Sequence, residues 1–231
     1  FSADVSHELK TPLALIRLNV EKLRGRLGAD ADASAVLGDV LEEISRLNQV
    51  IDRLLFLAKA ESGALPLVLQ PTELAGLIAT FAEDARALAE DRAVRFEVVR
   101  SDVGQLNVEP NLLRQLLLNL VANAVAVSPP GSCVTLESVA AGTEWKISIA
   151  DQGPGIPAEE LTRIFDRFVQ LQPGDRVESP RGHGLGLAIC RSIATLHRGT
   201  IVADNRLDGS GLRVTLTLPR RGNSEILSPR N

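Results

Sequence analysis

Two stretches near the start of the chain repeat leucine, isoleucine and valine at alternating spacings of four and three residues. The first runs from Leu9 to Leu27 and the second from Leu37 to Ala58. This spacing is typical of helices that pack knobs-into-holes. A lone hairpin of this length cannot bury both apolar stripes, so we predict an antiparallel helical hairpin that forms a four-helix bundle in a homodimer. A two-helix linker arm is the alternative.

The helical period stops at a short segment that contains one glycine and two prolines, residues 63–71. Glycine and proline break regular structure, so we place a linker there. We accordingly expect a helical domain over residues 1–62, a second domain over 72–219, and a polar, disordered tail over 220–231.

The second domain mixes helical and strand patterns. Thr72 is a candidate N-cap of a helix that ends near Arg92, and Pro110 opens an apolar helix that runs to Val127. The other predicted elements are strands at 94–99, 133–139, 145–150, 201–203 and 212–218, and a helix at 185–196 that stops at Gly199. Helices on one face of a mixed sheet make an α/β sandwich, so we assign the whole chain to the α+β class.

Composition and charge argue against several classes of function. The net charge is -4, so we expect no nucleic-acid partner. No apolar run reaches the roughly 18 residues that a membrane helix needs, so we expect no direct membrane contact of this part. Cys133 and Cys190 lack metal or redox spacing and are expected to be buried thiols. The chain opens at Phe1, inside a helical pattern, and we therefore expect it to be part of a longer protein.

The heptad register places His7 at an outward-facing position of the first helix. A neutral imidazole is a nucleophile, and with an ordinary pKa of about 6.5 most of it is unprotonated at neutral pH. Glu8 can accept or orient the second ring proton, and Thr11 follows one turn later on the same face. Pro12 removes a helix hydrogen bond and predicts a kink.

Around His7 the chain reads FSADVSHELKTPL, which closely resembles the H-box of sensor histidine kinases. The resemblance implies that His7 is phosphorylated, that Glu8 assists as acid and base, and that Thr11 positions water for dephosphorylating the partner. The other two histidines have no such context. We expect His183 in a lid and His197 at a helix end.

Asn119 and Asn123 lie four residues apart, on one face of the apolar helix. Amide oxygens can complete the shell of a Mg²⁺ ion held by a triphosphate without adding negative charge. Ordinary polarity of a helix surface is the alternative. The stretch NLVANA resembles the N-box of the same family, which implies that Asn123 is the direct Mg²⁺ ligand and that Asn119 lies beside the phosphates.

Asp151, Gly153 and Gly155 belong to the stretch DQGPGIP, which follows a predicted strand. A carboxylate accepts a hydrogen bond from the exocyclic amine of adenine, where guanine has a carbonyl, so one aspartate can select ATP over GTP. The glycines let the backbone approach the base. A simple Gly-Pro turn is the alternative. The stretch looks like the G1 box of the family, which implies an adenine site.

Two further stretches resemble the F-box and the G2 box. In IFDRF the aromatic residues would anchor the start of a mobile lid at 171–180, and Arg167 would reach the γ-phosphate. GHGLGL leads into a helix N-terminus, where free amides and the helix dipole favour phosphate. The residues that we expect to contact phosphate there are Gly182, Gly184, Leu185 and Gly186.

The chain departs from the family pattern at three positions. Ala126 and Val127 stand where the N-box normally continues with a basic and an aromatic residue, and Leu212 stands where Ser or Thr is frequent. We expect these changes to affect rate and nucleotide affinity more than reaction type. Arg167 and Arg181 are candidates to replace the missing cation.

Taken together and in this order along the chain, the motifs resemble the cytoplasmic core of a sensor histidine kinase with a GHKL-type ATP-binding domain. The resemblance implies that the core belongs to an inner-membrane sensor protein. The resemblance implies ATP and Mg²⁺ as cofactors, autophosphorylation on His7, transfer to an aspartate of a cognate response regulator, and phosphatase activity on that regulator. One alternative is an ATPase or anti-sigma-type serine kinase on the same ATP-binding fold. The other is a non-enzymatic scaffold that dimerises and docks a partner.

Overall fold

The computed structural model describes residues 2–26, 31–170, 183–207 and 209–220, with the side chains of residues 2–9, 26 and 31 left out. The chain splits into two compact units, Phe1–Leu65 and Pro66–Asn231. The domain limits inferred from the sequence stay a prediction. The expected lid, the expected tail beyond its first residue, and Arg181 and Gly182 all lie outside the described residues.

The first unit is an antiparallel helical hairpin. Helix α1 spans Ser2–Arg26 and continues through Pro12, and helix α2 spans Ala31–Glu61. Lys10, early in α1, forms an ion pair with Asp52, late in α2, which is the pairing expected of helices that run in opposite directions. The predicted hairpin is confirmed.

Much of the apolar surface of this hairpin stays exposed. In α2, Ile44 is buried as the heptad pattern predicts, but Leu57 is buried in place of Ala58. The apolar stripe therefore turns slightly around the helix towards its end. Seven large apolar side chains of the two helices remain exposed: Leu15, Ile16, Leu18, Leu23, Val36, Val40 and Leu47.

The second unit is built from two sheets and three helices in its described part. The helices are α3 (Leu74–Glu90), α4 (Pro110–Val127) and α5 (Gly186–Leu196). The strands are β1 (Gln70–Glu73), β2 (Arg95–Ser101), β3 (Gln105–Val108), β4 (Cys133–Ala141), β5 (Glu144–Ala150), β6 (Thr200–Asn205) and β7 (Leu212–Pro219). Short 3-10 turns cover Ala158–Glu160 and Arg163–Phe165.

The main sheet has the strand order β2-β4-β5-β7-β6. Strands β2 and β4 pair in parallel and the other neighbours are antiparallel, which confirms the predicted mixed sheet. Strands β1 and β3, which the sequence pattern did not indicate, form a separate antiparallel pair. The sheet therefore joins segments that are far apart in the chain.

Alternate residues of the central strands point into one core beneath the helices. Because side chains alternate along a strand, one face of the sheet is apolar and the other carries polar side chains. Phe81 of α3 packs edge-on against Phe96 of β2, with ring centroids 6.0 Å apart. Fully buried side chains of the core include Leu116, Leu117, Leu136, Trp145, Ile147 and Leu216. The predicted α/β sandwich is confirmed.

Helix α3 begins differently from the prediction. Its N-cap is Glu73, whose carboxylate accepts hydrogen bonds from the backbone N–H of Ala75 (3.1 Å) and Gly76 (2.5 Å). Thr72 instead pairs with Leu106 between β1 and β3. The assignment of Thr72 as the cap was wrong because strand pairing keeps the chain extended for one more residue. An acidic side chain then satisfies the first free amides.

Helix α5 ends in a paired hydrogen-bond motif. Arg198 N–H donates to Thr195 O (2.9 Å) and Gly199 N–H donates to Ala194 O (2.8 Å), while Arg198 takes the left-handed conformation. The helix does end before Gly199, as predicted, but the left-handed residue that turns the chain away from the helix is Arg198. Glycine is needed at Gly199 for another reason: an added Cβ would lie 2.3 Å from the carbonyl oxygen of Thr217 in β7.

His197 connects the end of α5 to the start of α4. The ring is 6% exposed. Its Nε2 accepts a hydrogen bond from Glu109 N–H (3.0 Å), so Nδ1 carries the proton and donates to Ile193 O (2.8 Å). Burial lowers the pKa of His197, and the bond to the Ile193 carbonyl acts in the opposite direction. This arrangement holds the ring neutral.

We expect His197 to make folding stability depend on pH. Its pKa is lower in the folded chain than the roughly 6.5 of an unfolded histidine, so the unfolded chain binds more protons. The free energy of unfolding should therefore fall as pH decreases through 6.5, by at most about 1.4 kcal/mol per pH unit. Urea unfolding of the chain at pH 7.5, 6.5 and 5.5 measures this slope.

His197→Ala should lower the free energy of unfolding at pH 7.5 by about 1–3 kcal/mol, since Glu109 N–H loses its acceptor. The variant should also show a flatter pH dependence. Asn107→Ala, at an exposed asparagine of β3 that carries no titratable group, should keep the wild-type slope. An unchanged slope in His197→Ala would show that another group titrates.

Among the described helices, none combines the length and hydropathy required to cross a membrane.

Candidate active site

Helix α4 carries the two asparagines of the predicted site. Its first turn is capped by Glu109, whose carboxylate accepts from Asn111 N–H (3.3 Å) and Leu112 N–H (2.6 Å). Asn123 is exposed and Asn119 is half-buried one turn earlier. The Asn119 Nδ2 atom is buried, and the Asn119 amide lies against the buried Cys190 thiol of α5. A thiol sulfur is a weak acceptor, so this amide is suited to a ligand oxygen.

The N-terminus of α5 lies beside Asn123. An added Cβ at Gly186 would lie 3.6 Å from Asn123 Nδ2. Leu185, at the N-cap position, provides no side-chain hydrogen bond to the first turn, and its own side chain is fully buried. The first amides of the helix therefore have no side-chain acceptor from the N-cap and favour an anion together with the helix dipole.

Gly184 packs directly against the F-box. Phe168 N–H donates to Gly184 O (2.9 Å), and an added Cβ at Gly184 would lie 2.7 Å from the carbonyl carbon of Phe168. Gly184 also has a φ of +65°, which favours glycine. The backbone here holds the F-box to the start of the G2 segment.

The two aromatic residues of the F-box behave differently. Phe165 is buried, whereas Phe168 is 60% exposed and has a left-handed backbone with φ of 62°. The expectation that both rings anchor the segment is wrong for Phe168, whose backbone, rather than ring, makes the contact. Arg167, between them, has an exposed side chain.

Asp151 is the buried acid of the site. It is 5% exposed, and its Oδ1 accepts hydrogen bonds from Gly153 N–H (2.8 Å) and Leu212 N–H (3.1 Å). Both bonds end on Oδ1, so Oδ2 is the oxygen that a ligand amine would meet. Burial raises the pKa of Asp151, while the two backbone donors and the charge of Arg206 act to lower it.

The glycines of the Asp151 loop, residues 151–157, allow two close approaches. An added Cβ at Gly153 would lie 2.9 Å from Val127 Cγ2, so the loop touches the end of α4. Gly155 has a φ of +76°, and an added Cβ there would lie 2.8 Å from Asn205 Oδ1. Both predicted glycines are therefore required by local geometry.

The connection between β6 and β7 contributes residues that the sequence motifs did not indicate. Arg206 donates to the backbone oxygen of Asp151 (3.0 Å), and the Ser210 hydroxyl donates to Gly153 O. Gly211 passes so close to Asp151 that an added Cβ would lie 2.1 Å from its carbonyl oxygen. The two glycines of the stretch NRLDGSG signal a turn, but its partner loop is more than fifty residues away.

The residues predicted for phosphorylation and its assistance lie in the first unit. His7 and Glu8 are within α1, and their side chains lie outside the described part. Thr11, on the next turn, is exposed. The second unit brings together Asn119, Asn123, Leu185 and Gly186 at one place, and Asp151, Gly153 and Gly155 at another.

Comparison with known families agrees with this arrangement. Residues 1–63 match the His Kinase A (phospho-acceptor) domain. Residues 108–222 match the histidine kinase-, DNA gyrase B-, and HSP90-like ATPase family. The chain belongs to the histidine kinase family.

Several sensor kinases are similar to this kinase. The sensor histidine kinase CusS of Escherichia coli O157:H7 is 32% identical over 96% of the chain and 45% of its own length. The sensor protein SphS of Synechococcus elongatus is 36% identical over 93% of the chain and 53% of its own length. The chain thus spans about half the length of the curated relatives it matches.

Solved structures support the same fold. The full-length kinase ShkA in complex with AMPPNP has a TM-score of 0.80 and 27% identity, covering 94% of this chain and 45% of its own. The mycobacterial sensor histidine kinase MprB has a TM-score of 0.56 and 30% identity, covering 67% of this chain and 99% of its own. The expected histidine kinase fold, with an ATP-binding domain of the GHKL type, is confirmed.

The structure shows what surrounds two of the positions at which the chain departs from the family pattern, Val127 and Leu212. Val127 is partly exposed and rests on Gly153, so an aliphatic side chain occupies the place beside the Asp151 loop where the family has a ring. Leu212 lacks a hydroxyl, yet its backbone N–H holds Asp151 Oδ1. In this kinase the acid is oriented by backbone donors from two separate segments.

Proposed function

We propose that this kinase core binds ATP in its second unit and transfers the γ-phosphoryl group to His7. The observation that carries the proposal is that one ATPase domain contains both the buried Asp151 and the α4 amides beside the N-terminus of α5, in the same chain as a domain of the phospho-acceptor family. The α4 amides are Asn119 and Asn123. Each of these elements suits a different part of Mg²⁺-ATP.

The adenine end of ATP is assigned to the Asp151 loop. Oδ2 of Asp151 accepts the exocyclic amine, while Oδ1 is held by Gly153 and Leu212. Burial removes competing water and strengthens this hydrogen bond. Gly153 and Gly155 keep the loop backbone free of side chains that would obstruct the base.

The phosphates are assigned to the space between α4 and α5. The first amides of α5, from Gly186 on, bind phosphate oxygens, and Nδ2 of Asn119, which lies beside the weakly accepting Cys190 thiol, donates to another. Asn123 offers an amide oxygen as the ligand of Mg²⁺, which would neutralise charge on the phosphates. Arg167 is the proposed contact of the γ-phosphate, and Gly184 and Leu185 shape the start of the loop before α5. The phosphate contact predicted for Gly182 falls outside the described residues.

The reaction at His7 is an in-line displacement. The lone pair of a neutral ring nitrogen forms the N–P bond while the bond between the γ-phosphorus and the bridging oxygen breaks, and ADP leaves with that electron pair. Glu8 takes or orients the proton on the other ring nitrogen. A carboxylate oxygen of an aspartate on a response regulator then attacks the phosphorus and the N–P bond breaks. Thr11 positions water when that aspartyl phosphate is hydrolysed.

We further propose that the hairpin works as a homodimer. The exposed apolar side chains on α1 and α2, Leu15 and Val40 among them, would be covered in a four-helix bundle. The net charge of -4 does not favour a nucleic-acid partner. The family of sensor kinases supports a place for this core on the cytoplasmic side of a membrane sensor.

Incubation of the chain with γ-labelled ATP and Mg²⁺ tests the proposed function. We expect labelled protein whose label is lost in acid and kept in base, as phosphohistidine requires, and no label from α-labelled ATP. Acid-stable label would favour a serine kinase. Release of phosphate without labelled protein would favour an ATPase, and failure to bind nucleotide would favour the scaffold.

A further inference from the structure

Asn205, the last residue of β6, makes both of its side-chain hydrogen bonds to one residue of the Asp151 loop. Its Oδ1 accepts from Ile156 N–H (2.8 Å), and its Nδ2 donates to Ile156 O (2.6 Å). The two residues are 49 positions apart in the chain. The side chain therefore satisfies both backbone groups of Ile156, as a neighbouring strand would do in a sheet.

The same contact explains the glycine before Ile156. Gly155 has a φ of +76°, and an added Cβ would lie 2.8 Å from Asn205 Oδ1. Any larger residue would push the amide away from Ile156 in addition to straining the backbone. The loop conformation and the Asn205 contact are therefore compatible only with glycine at this position.

The Asp151 loop is held at both ends by residues around the β6–β7 connection. At its start, Arg206 and Ser210 donate to the backbone oxygens of Asp151 and Gly153. At its far end, the described contacts across the loop are those of Asn205 with Ile156. The loop contains two glycines and two prolines and forms no helix or strand, so these contacts select its shape.

We propose that Asn205 is a positioning residue for nucleotide recognition: it holds the Asp151 loop in the shape that receives adenine, and it acts through Ile156 without touching ATP. The inference rests on the proposed ATP-binding function. A loop that is ordered before binding loses less conformational entropy when the ligand arrives. Asn205 therefore raises ATP affinity and sharpens selection of adenine by Asp151.

An asparagine is required by the chemistry of the contact. The carboxamide presents one acceptor and two donors, which match the N–H and the carbonyl of Ile156. An aspartate of the same shape keeps the acceptor but places a second oxygen against Ile156 O. Asn205→Asp should therefore break one of the two bonds while leaving the size of the side chain unchanged.

Titration calorimetry of the whole chain with ATP and with GTP, both with Mg²⁺, tests the inference. Asn205→Ala should weaken ATP binding about tenfold, because two hydrogen bonds are lost. Asn205→Asp should weaken it at least as much. The ratio of the GTP and ATP dissociation constants should move towards one. The control Asn107→Ala, at an exposed asparagine of β3, should keep wild-type affinity and selectivity.

Amide hydrogen exchange provides a second readout, which distinguishes a local change in the Asp151 loop from a general loss of stability. The Ile156 amide should exchange faster in both Asn205 variants, while amides in the middle of α4 keep their protection. If Asn205→Ala does not fold, the isosteric Asn205→Asp alone decides the question.

The outcomes separate the inference from the function on which it rests. If the wild-type chain does not bind ATP, the proposed function fails and the inference with it. If the wild type binds ATP and both variants bind it with unchanged affinity and selectivity, only the role of Asn205 is refuted. A loss of affinity that is equal for ATP and GTP would also refute the positioning of adenine.

Discussion

His7→Gln is expected to abolish phosphorylation of the chain and to leave ATP binding unchanged. Glutamine keeps a polar side chain on the helix but lacks a nucleophilic ring nitrogen, so no N–P bond can form. The proposed ATP-binding residues all lie in the second unit, beyond Pro66. Label from γ-labelled ATP measures the first effect, which should fall below detection, and nucleotide titration measures the second.

A matched variant on the same helix keeps this test specific. Asn19 is an exposed amide of α1, and Asn19→Gln should be labelled like the wild type. Acid-labile label that survives in His7→Gln would mean that another histidine is the acceptor. Loss of ATP binding in His7→Gln would mean that the ATP site depends on α1.

Asp151→Asn should weaken ATP binding by about 10- to 150-fold. The charged oxygen that meets the adenine amine becomes either an uncharged oxygen or an amide donor, and a hydrogen bond to a charged group is worth about 1.5–3 kcal/mol. The amide can still accept from Gly153 and Leu212 through its oxygen, so the loop should keep its shape. Its Nδ2 then faces the base, where it repels adenine and matches the carbonyl of guanine.

The measurement is the pair of dissociation constants for ATP and GTP. The preference for ATP should shrink or reverse in Asp151→Asn, whereas Asp204→Asn, at an exposed acid in β6, should not change it. The near-ultraviolet signal of Trp145, the single tryptophan, reports whether the core remains intact. ATP binding as tight as in the wild type would place the adenine elsewhere.

Much of the second unit followed from local signals. Helix α4 has the predicted limits, Pro110 and Val127, because proline at the first turn and the prolines after Ser128 act through the neighbouring backbone alone. Strands β4 and β5 were likewise predicted, to within two residues of their observed limits. Such signals act between neighbouring residues, so they can be interpreted without knowledge of the fold.

Features that depend on residues far away in the chain could not be predicted from local sequence patterns. Strands β1 and β3 are short and are extended because they pair with each other, which also moved the cap of α3 from Thr72 to Glu73. Gly199 was correctly expected at a helix end. The reason that no side chain fits there is the backbone oxygen of Thr217, which lies in another element. In each case the deciding atom belongs to a segment that the local pattern does not contain.

The candidate site divides in the same way. The order of the motifs, from His7 to Gly186, indicated the family through its resemblance to sensor histidine kinases. The residue types indicated the kind of chemistry, because amides, an acid and glycines suit different parts of a nucleotide. Only the tertiary structure decided which groups meet. It turned Oδ1 of Asp151 towards Leu212, set Asn123 beside the first turn of α5, and joined Asn205 to Ile156, since these contacts bridge segments between 49 and 63 residues apart and exist only after the sheet has formed.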